Sequence, residues 1–360
     1  LINQSSTIML ALFFFFFSSH FPVMQSLYNF YRGQRSVGFI SRIYNSMTGE
    51  YLHAPSAIEP MINPPLFTWP ELKYYYLTGD QSRLKKYFKT WEKYFEWLDN
   101  FCQAKGEAIG LYYNSQNGSL MINSPRTDND FGGWADMSCQ MALFAEQLAE
   151  TAEIIGEDTR VIYYQNRYQK ITEVIREKLW HDEDGFYYDL TSDGHPIRIK
   201  TTAGFWPLIA GIPSSEDAPE LINHLKNDDE FARRHLFPSL SADEDGFKPN
   251  GAYWRGGVWG NENYMIIAGL KRYGEYEFAT TTAWNHITNM EKIFTGYFPD
   301  TSLIDEKYWA NCNATVWELY SPENDQPGTR WDTYNLCRPN YIPTSGFGPV
   351  AMLIEDVLGF

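Results

Sequence analysis

The residue best suited to chemistry stands in the stretch Ala314-Thr315-Val316-Trp317-Glu318-Leu319-Tyr320-Ser321-Pro322-Glu323, where one carboxylate, Glu318, sits between large aromatics ahead of a proline turn. A carboxylate walled by rings is poised for acid/base work beside a ligand with flat apolar faces, such as a sugar. The plainer role for Glu318 is an ion pair with an arginine. Other loop residues suit the same ligand. Asn63 opens Asn63-Pro64-Pro65-Leu66-Phe67-Thr68-Trp69, Asn123 and Arg126 stand in Met121-Ile122-Asn123-Ser124-Pro125-Arg126, and Trp134 follows Gly132-Gly133. Trp254, Arg255 and Trp259 come from Tyr253-Trp254-Arg255-Gly256-Gly257-Val258-Trp259. With Trp317 these supply rings for pyranose faces and Arg and Asn for hydroxyls. Arg126 and Arg255 have loop carboxylates as alternative partners, Trp254 and Trp259 have the core as an alternative place, and Asp136 is expected to cap the helix that follows it.

Three segments follow one plan and should position these loops. Trp69–Tyr76 leads through Gly79 to Arg83–Cys102, Met141–Ile155 leads through Gly156 to Val161–Trp180, and Tyr264–Tyr273 leads through Gly274 to Phe278–Ile293. Each reads as a helix stopped by glycine, an acidic residue near the next start, and a returning helix. The apolar stripe Met141, Leu143, Phe144, Leu148, Ala152, Ile155 keeps helical period. Strand signals are short and local, as in Gly185–Leu190 after the turn Asp182-Glu183-Asp184-Gly185, whose acidic run lacks the calcium-loop pattern and reads as a solvated turn. Long non-helical segments, Gly106–Gly133, Leu236–Gly257 and Phe298–Asn340, carry most of the candidate residues, as the loops of a helical ring would. No linker breaks the 360 residues, so a single domain is expected.

The aromatic share is 17%, with 12 Trp, 25 Tyr and 24 Phe; most should simply fill the core. A formal net charge of −16 argues against nucleic acid and anionic membranes as partners and leaves a neutral carbohydrate as the expected ligand. Cys102, Cys139, Cys312 and Cys337 show no CxxC spacing and are expected to be buried free thiols. The seven histidines form no metal-ligand pattern and no phosphate loop is present, so neither metal nor cofactor is expected. The apolar run Ile8–Phe17 is too short to cross a bilayer and reads as a buried helix. The absence of an initiating Met suggests a fragment or a trimmed chain, and the sequons at Asn3, Asn117 and Asn313 settle nothing. The compartment stays open between cytoplasm and periplasm or secretion, as does the oligomeric state.

At this point several motifs, in order along nearly the whole chain, resemble glycoside hydrolase family 63 and its mannosylglycerate-hydrolase-like kin, which are related to trehalases. They are Phe21-Pro22-Val23-Met24-Gln25-Ser26-Leu27, Asn63-Pro64-Pro65-Leu66, Gly204-Phe205-Trp206-Pro207-Leu208, Tyr253-Trp254-Arg255-Gly256, Thr315-Val316-Trp317-Glu318 and Gly346-Phe347-Gly348-Pro349. The resemblance implies an all-α (α/α)6 toroid lacking part of its first helical pair, and hydrolysis of α-glycosidic bonds with inversion. Inversion uses two carboxyl groups, one protonating the leaving oxygen and one activating water. By resemblance Glu318 is the general base, and Trp254, Arg255 and Trp259 line the sugar site. The family's acid precedes Asn-Ser/Thr-Pro-Arg; here Ile122 holds that place and can donate no proton. Asp128 or Asp130 is the candidate substitute. A Trp-Asp pair of the family is replaced near Ser5-Ser6, and a late Trp by Thr344.

Two functions compete on this reading. One is an inverting hydrolase of a small glucose- or mannose-containing α-glycoside, weakened at the acid. The other is a non-catalytic carbohydrate-binding relic. An epimerase or lyase on a similar ring is disfavoured because histidines are scarce in the loops.

Overall fold

A computed structural model describes residues 1–13, 22–52, 61–115, 121–129, 132–307 and 312–360. Asp130, the sequon at Asn117 and the last part of the N-terminal apolar run, 14–17, lie outside the described residues. The chain divides into two compact units with interleaved segments. One comprises Leu1–Ile122, Asp130–Trp180 and Asp189–Pro196; the other comprises Asn123–Asn129, His181–Tyr188 and Ile197–Phe360.

In the first unit the elements are α1 (Gln4–Phe13), α2 (Val23–Arg32), α3 (Thr68–Thr78), α4 (Ser82–Phe101), α5 (Ala135–Ile155) and α6 (Asp158–Leu179). They pack as the pairs α1/α2, α3/α4 and α5/α6, with α5 also against α3 and α4. Helix α5 buries side chains on every face, Ser138, Gln140 and Thr151 among them, so it is an inner helix. Helix α4 instead buries Leu84, Tyr87, Phe88, Trp91, Phe95 and Leu98, a one-sided stripe at helical spacing. Phe95 meets Phe144 and Tyr164 edge-on with ring centroids 5.5 Å apart in both cases, tying α4 to both helices of the next pair. A buried fork locks the earlier pairs: Arg83 donates to Glu71 at 2.6 and 2.7 Å, and the Tyr31 hydroxyl donates to Glu71 at 2.9 Å. A three-stranded antiparallel sheet, β1 (Ile2–Asn3), β2 (Ile43–Tyr44) and β3 (Tyr51–Leu52), pairs Ile2 with Tyr44 and Ile43 with Leu52.

The second unit contains α7 (Trp206–Ala210), α8 (Asp217–Lys226), α9 (Gly260–Arg272), α10 (Tyr276–Gly296) and α11 (Gly348–Met352). Here α9 is the inner helix, buried from Glu262 to Ile267, and packs on α7, α10 and α11. Helix α10 keeps one face in water, including Trp284 and Phe294.

The three expected hairpins are present, with helices starting one to six residues earlier than the apolar pattern indicates. Gly79, Gly156 and Gly274 stop the leading helix in each and take φ of 71°, 81° and 80°. At Gly156 an added Cβ meets nothing within 4 Å, so only the backbone resists it. Gly156→Ala should therefore cost about 1 kcal/mol in a denaturant melt without changing the fold.

The expectation for Asp136 needs correction. The N-cap position of α5 is Trp134, and Asp136 lies inside the first turn. Asp189 accepts from the Ala135 amide at 2.8 Å, while Asp136 accepts from Met137 at 2.8 Å. The cap is supplied from 54 residues away, which local spacing does not show. All four cysteines are buried and free. Within α1, Ile8, Ala11, Leu12 and Phe13 are buried as expected. No helix among the described residues is long and apolar enough to cross a membrane, and no cluster of metal-binding side chains occurs among them.

Candidate active site

Glu318 lies in an irregular stretch held by single bridges, not in a helix. Trp317 pairs with Pro339, and Tyr320 pairs with both Val258 and Pro327. The Glu318 amide donates to the Arg338 carbonyl at 2.8 Å, and the Ser345 hydroxyl donates to the Glu318 carbonyl at 2.6 Å. With its backbone fixed from both sides, the side chain has few directions left. Glu318 is 3% exposed and Trp317 beside it is 1% exposed, so the carboxylate is taken out of bulk water.

Among the described residues, two groups reach that carboxylate. The Tyr253 hydroxyl donates to Oε1 at 3.1 Å, and Nε of Arg338 stands 3.9 Å from Oε2. Arg338 is half exposed and too far for a hydrogen bond, so the ion pair that competed with a catalytic role is loose and screened. Burial pushes the Glu318 carboxyl above the ordinary carboxylate range; Arg338, the Tyr253 hydroxyl and Arg330 oppose this without cancelling it. Removing either neighbour should raise it further. In a carboxyl-¹³C titration, Arg338→Gln and Tyr253→Phe should each move the Glu318 resonance to a higher midpoint; a downward move in either variant would contradict this geometry.

Tyr253 reaches Glu318 because its backbone is bent unusually. Ala252 and Tyr253 have φ of 38° and 66°, a region costly for residues with a side chain. Hydrogen bonds hold the bend. Asn123 donates to the Ala252 carbonyl and accepts from the Trp254 amide, both at 2.9 Å, and the Tyr253 amide donates to Thr329 at 2.9 Å. The next turn leaves no room for a side chain at Gly257, where a Cβ would sit 2.4 Å from the Tyr253 carbonyl oxygen. Trp254 and Trp259 stack with centroids 4.2 Å apart and planes 9° off parallel, and Trp259 and Trp331 each meet the Tyr253 ring edge-on. Trp331 is half exposed and carries the Arg330 guanidinium 5.0 Å from its ring. A cavity of about 230 Å³ is lined by Asp305, Arg330, Asn335, Cys337 and Arg338 with Ile304 and Leu336; it shares Arg338 with the neighbours of Glu318, but neither Glu318 nor Tyr253 nor the three indoles line it.

The sequence candidates therefore separate. Asn123, Trp254, Arg255, Trp259 and Glu318 come together in the second unit. There the Asn123 amide is engaged with backbone, and Arg255 donates to the Asn123 carbonyl at 3.1 Å while facing Asp128 at 3.5 Å. Asp128 is 68% exposed, against 3% for Glu318. Arg126 is buried in the single turn Pro125–Asp128. Asn63 and Trp134 belong to the first unit and are fully buried, Asn63 donating to Asn3 at 2.9 Å. Ile122 is 42% exposed. Sequence reasoning did not single out Tyr253, Trp331, Arg330 or Arg338; the signal for Tyr253 was its place in the motif Tyr253-Trp254-Arg255-Gly256.

Comparison with known proteins bears on the family and the fold. The model of the "Mannosylglycerate hydrolase MGH1-like glycoside hydrolase domain" matches residues 23–335. A protein of Borreliella burgdorferi described only as uncharacterized is 26% identical over 99% of this chain and 72% of its own length. A mannosylglycerate hydrolase of Thermus thermophilus is 41% identical over a shorter stretch, 33% of this chain and 29% of that protein. Among solved structures, a GH63 mannosylglycerate hydrolase from the same species in complex with Tris and D-glycerate superposes with a TM-score of 0.74 at 19% identity, covering 98% of this chain and 93% of that one. That likeness bears out the expected (α/α)6 fold.

Proposed function

From the premise that this chain belongs to the MGH1-like glycoside hydrolase family, we propose that it hydrolyses the α-glycosidic bond of a small glucose- or mannose-containing glycoside with inversion, Glu318 acting as general base. The observation that carries this reading is the Glu318 carboxylate itself, 3% exposed, oriented by the Tyr253 hydroxyl and raised by burial. A base with a raised pKa accepts a proton from water more readily near neutral pH. Trp331, half exposed, offers a ring beside Tyr253, while Trp254 and Trp259 are buried in the core, the alternative place for them; Arg330 and Arg338 outnumber Asp305 in the lining of the 230 Å³ cavity and leave it positive. That charge suits an aglycone bearing a carboxylate, such as glycerate, the ligand of the Thermus structure.

The proton for the leaving oxygen is the open part of the mechanism. Ile122 cannot supply it, and Asp128 or Asp130 would have to. The experiment is hydrolysis of a panel of α-mannosides and α-glucosides, glycerate among the aglycones, with the anomer of the first product read by NMR. Release of the inverted anomer supports the proposal; release of the retained anomer overturns it. The relic reading is favoured by one observation, Ile122 in the acid's place, and it predicts sugar binding without product release.

A further inference from the structure

Helix α10 carries a second cavity, of about 320 Å³, that shares no lining residue with the surroundings of Glu318. It is lined by Arg234, His235, Trp284, Thr288, Asn289 and Lys292, together with Asn285 and Thr281. Three features set it apart from ordinary surface. Trp284 is 54% exposed, a large ring left in water on an outward helix face. Lys292 has no ion-pair partner among the described residues, and no carboxylate lines the cavity in a chain of net charge −16. Asn289 is 1% exposed, yet neither its amide nitrogen nor its amide oxygen has a hydrogen-bond partner. A buried amide with both ends unmet is costly and points to a group that completes it.

Most of the other polar groups at this place have partners, although His235 Nε2 and Asp325 Oδ1 approach each other without a hydrogen bond of good geometry. Arg234 pairs with Asp325, and Nε2 of His235 lies 3.0 Å from that same carboxylate. Burial lowers the His235 imidazole to about 4, so it is neutral at physiological pH and adds no charge. Asn285 is spent on backbone, accepting from Leu236 and donating to Arg234. What remains for a ligand is one indole face, one ammonium, the Thr288 hydroxyl and the Asn289 amide, all from residues that line the cavity. An indole takes the CH face of a pyranose, an amide and a hydroxyl take ring hydroxyls, and an ammonium takes an anion.

We propose that this cavity is a non-catalytic binding site for an anionic monosaccharide, a pyranose bearing one carboxylate or phosphate. It is independent of any turnover at Glu318. The test is calorimetric titration of the full chain with glucuronate, glucose 6-phosphate, glucose and inorganic phosphate, repeated with Trp284→Ala, Lys292→Gln and Glu318→Gln. Saturable binding of glucuronate or glucose 6-phosphate is expected, and the stronger of the two identifies the anion. Trp284→Ala should weaken it about tenfold, Lys292→Gln should erase the advantage over glucose, and Glu318→Gln should leave it unchanged. Absence of saturable binding, binding indifferent to both cavity variants, binding lost in Glu318→Gln, or phosphate alone binding as tightly as its sugar ester would each overturn the proposal. Thermal melts of the variants separate loss of the site from loss of the fold.

Discussion

Glu318→Gln should lower hydrolysis of an ordinary α-glycoside by about 10²–10⁴-fold, the usual contribution of a positioned general base, and at the same time raise the melting temperature at neutral pH. The first effect follows because glutamine keeps the shape and still accepts from the Tyr253 hydroxyl but cannot take a proton from water. The second follows from the direction of the pKa shift. The folded-state carboxyl lies above its unfolded value because burial outweighs the help of Arg338 and Tyr253. An acid raised on folding stabilises the protein fully below the unfolded pKa, and that stability is lost as pH rises through the folded one. At pH 7 the ionised Glu318 is thus a net cost that glutamine removes. The gain in melting temperature should shrink as pH falls towards 4. A variant that loses activity but melts lower at pH 7 than the parent would mean that Glu318 is a structural ion pair. Equal activities in parent and variant would remove Glu318 from the mechanism.

Ile122→Asp should raise the rate on ordinary α-glycosides by about 10²–10⁴-fold, the range of general acid catalysis. A sugar alkoxide is a poor leaving group, so protonation matters most there. Glycosyl fluorides leave with little protonation, and on them the same variant should change the rate little. That contrast separates a restored acid from a general improvement in folding or binding. Ile122 is 42% exposed, so a carboxyl at this position stays in contact with water and avoids the cost of an unpaired buried charge. If the parent chain already cleaves ordinary glycosides and Ile122→Asp adds nothing, the proton comes from elsewhere. Asp128→Asn and Asp130→Asn would then show which residue supplies it.

Much of this architecture was legible in residue patterns. The hairpins follow from apolar spacing of three and four residues and from glycines at helix ends, both consequences of the 3.6-residue turn and the left-handed conformation at a C-cap. The helix starts came out late because polar first turns such as Ala135–Gln140 are buried on an inner helix, where they look like loop in a linear reading. The buried free cysteines were readable from their spacing and from the habit of thiols to hide. Glu318 was readable because a carboxylate among rings is chemically conspicuous at short range.

What the amino-acid order determined by itself is therefore local: which segments coil, where they stop, and which carboxylate stands among aromatics. Only the tertiary structure decided what that carboxylate touches. Tyr253 lies 65 residues from Glu318, and its hydroxyl arrives there through a left-handed backbone step. Asn123, a candidate sugar ligand in the linear chain, closes on a backbone turn 129 residues away. Side-chain periodicity reports which face of an element leaves water, because that is set within a few residues; it carries no record of which distant loop covers that face. Partners are chosen by packing and hydrogen-bond geometry across the whole fold, and the chemistry at Glu318 depends on those partners.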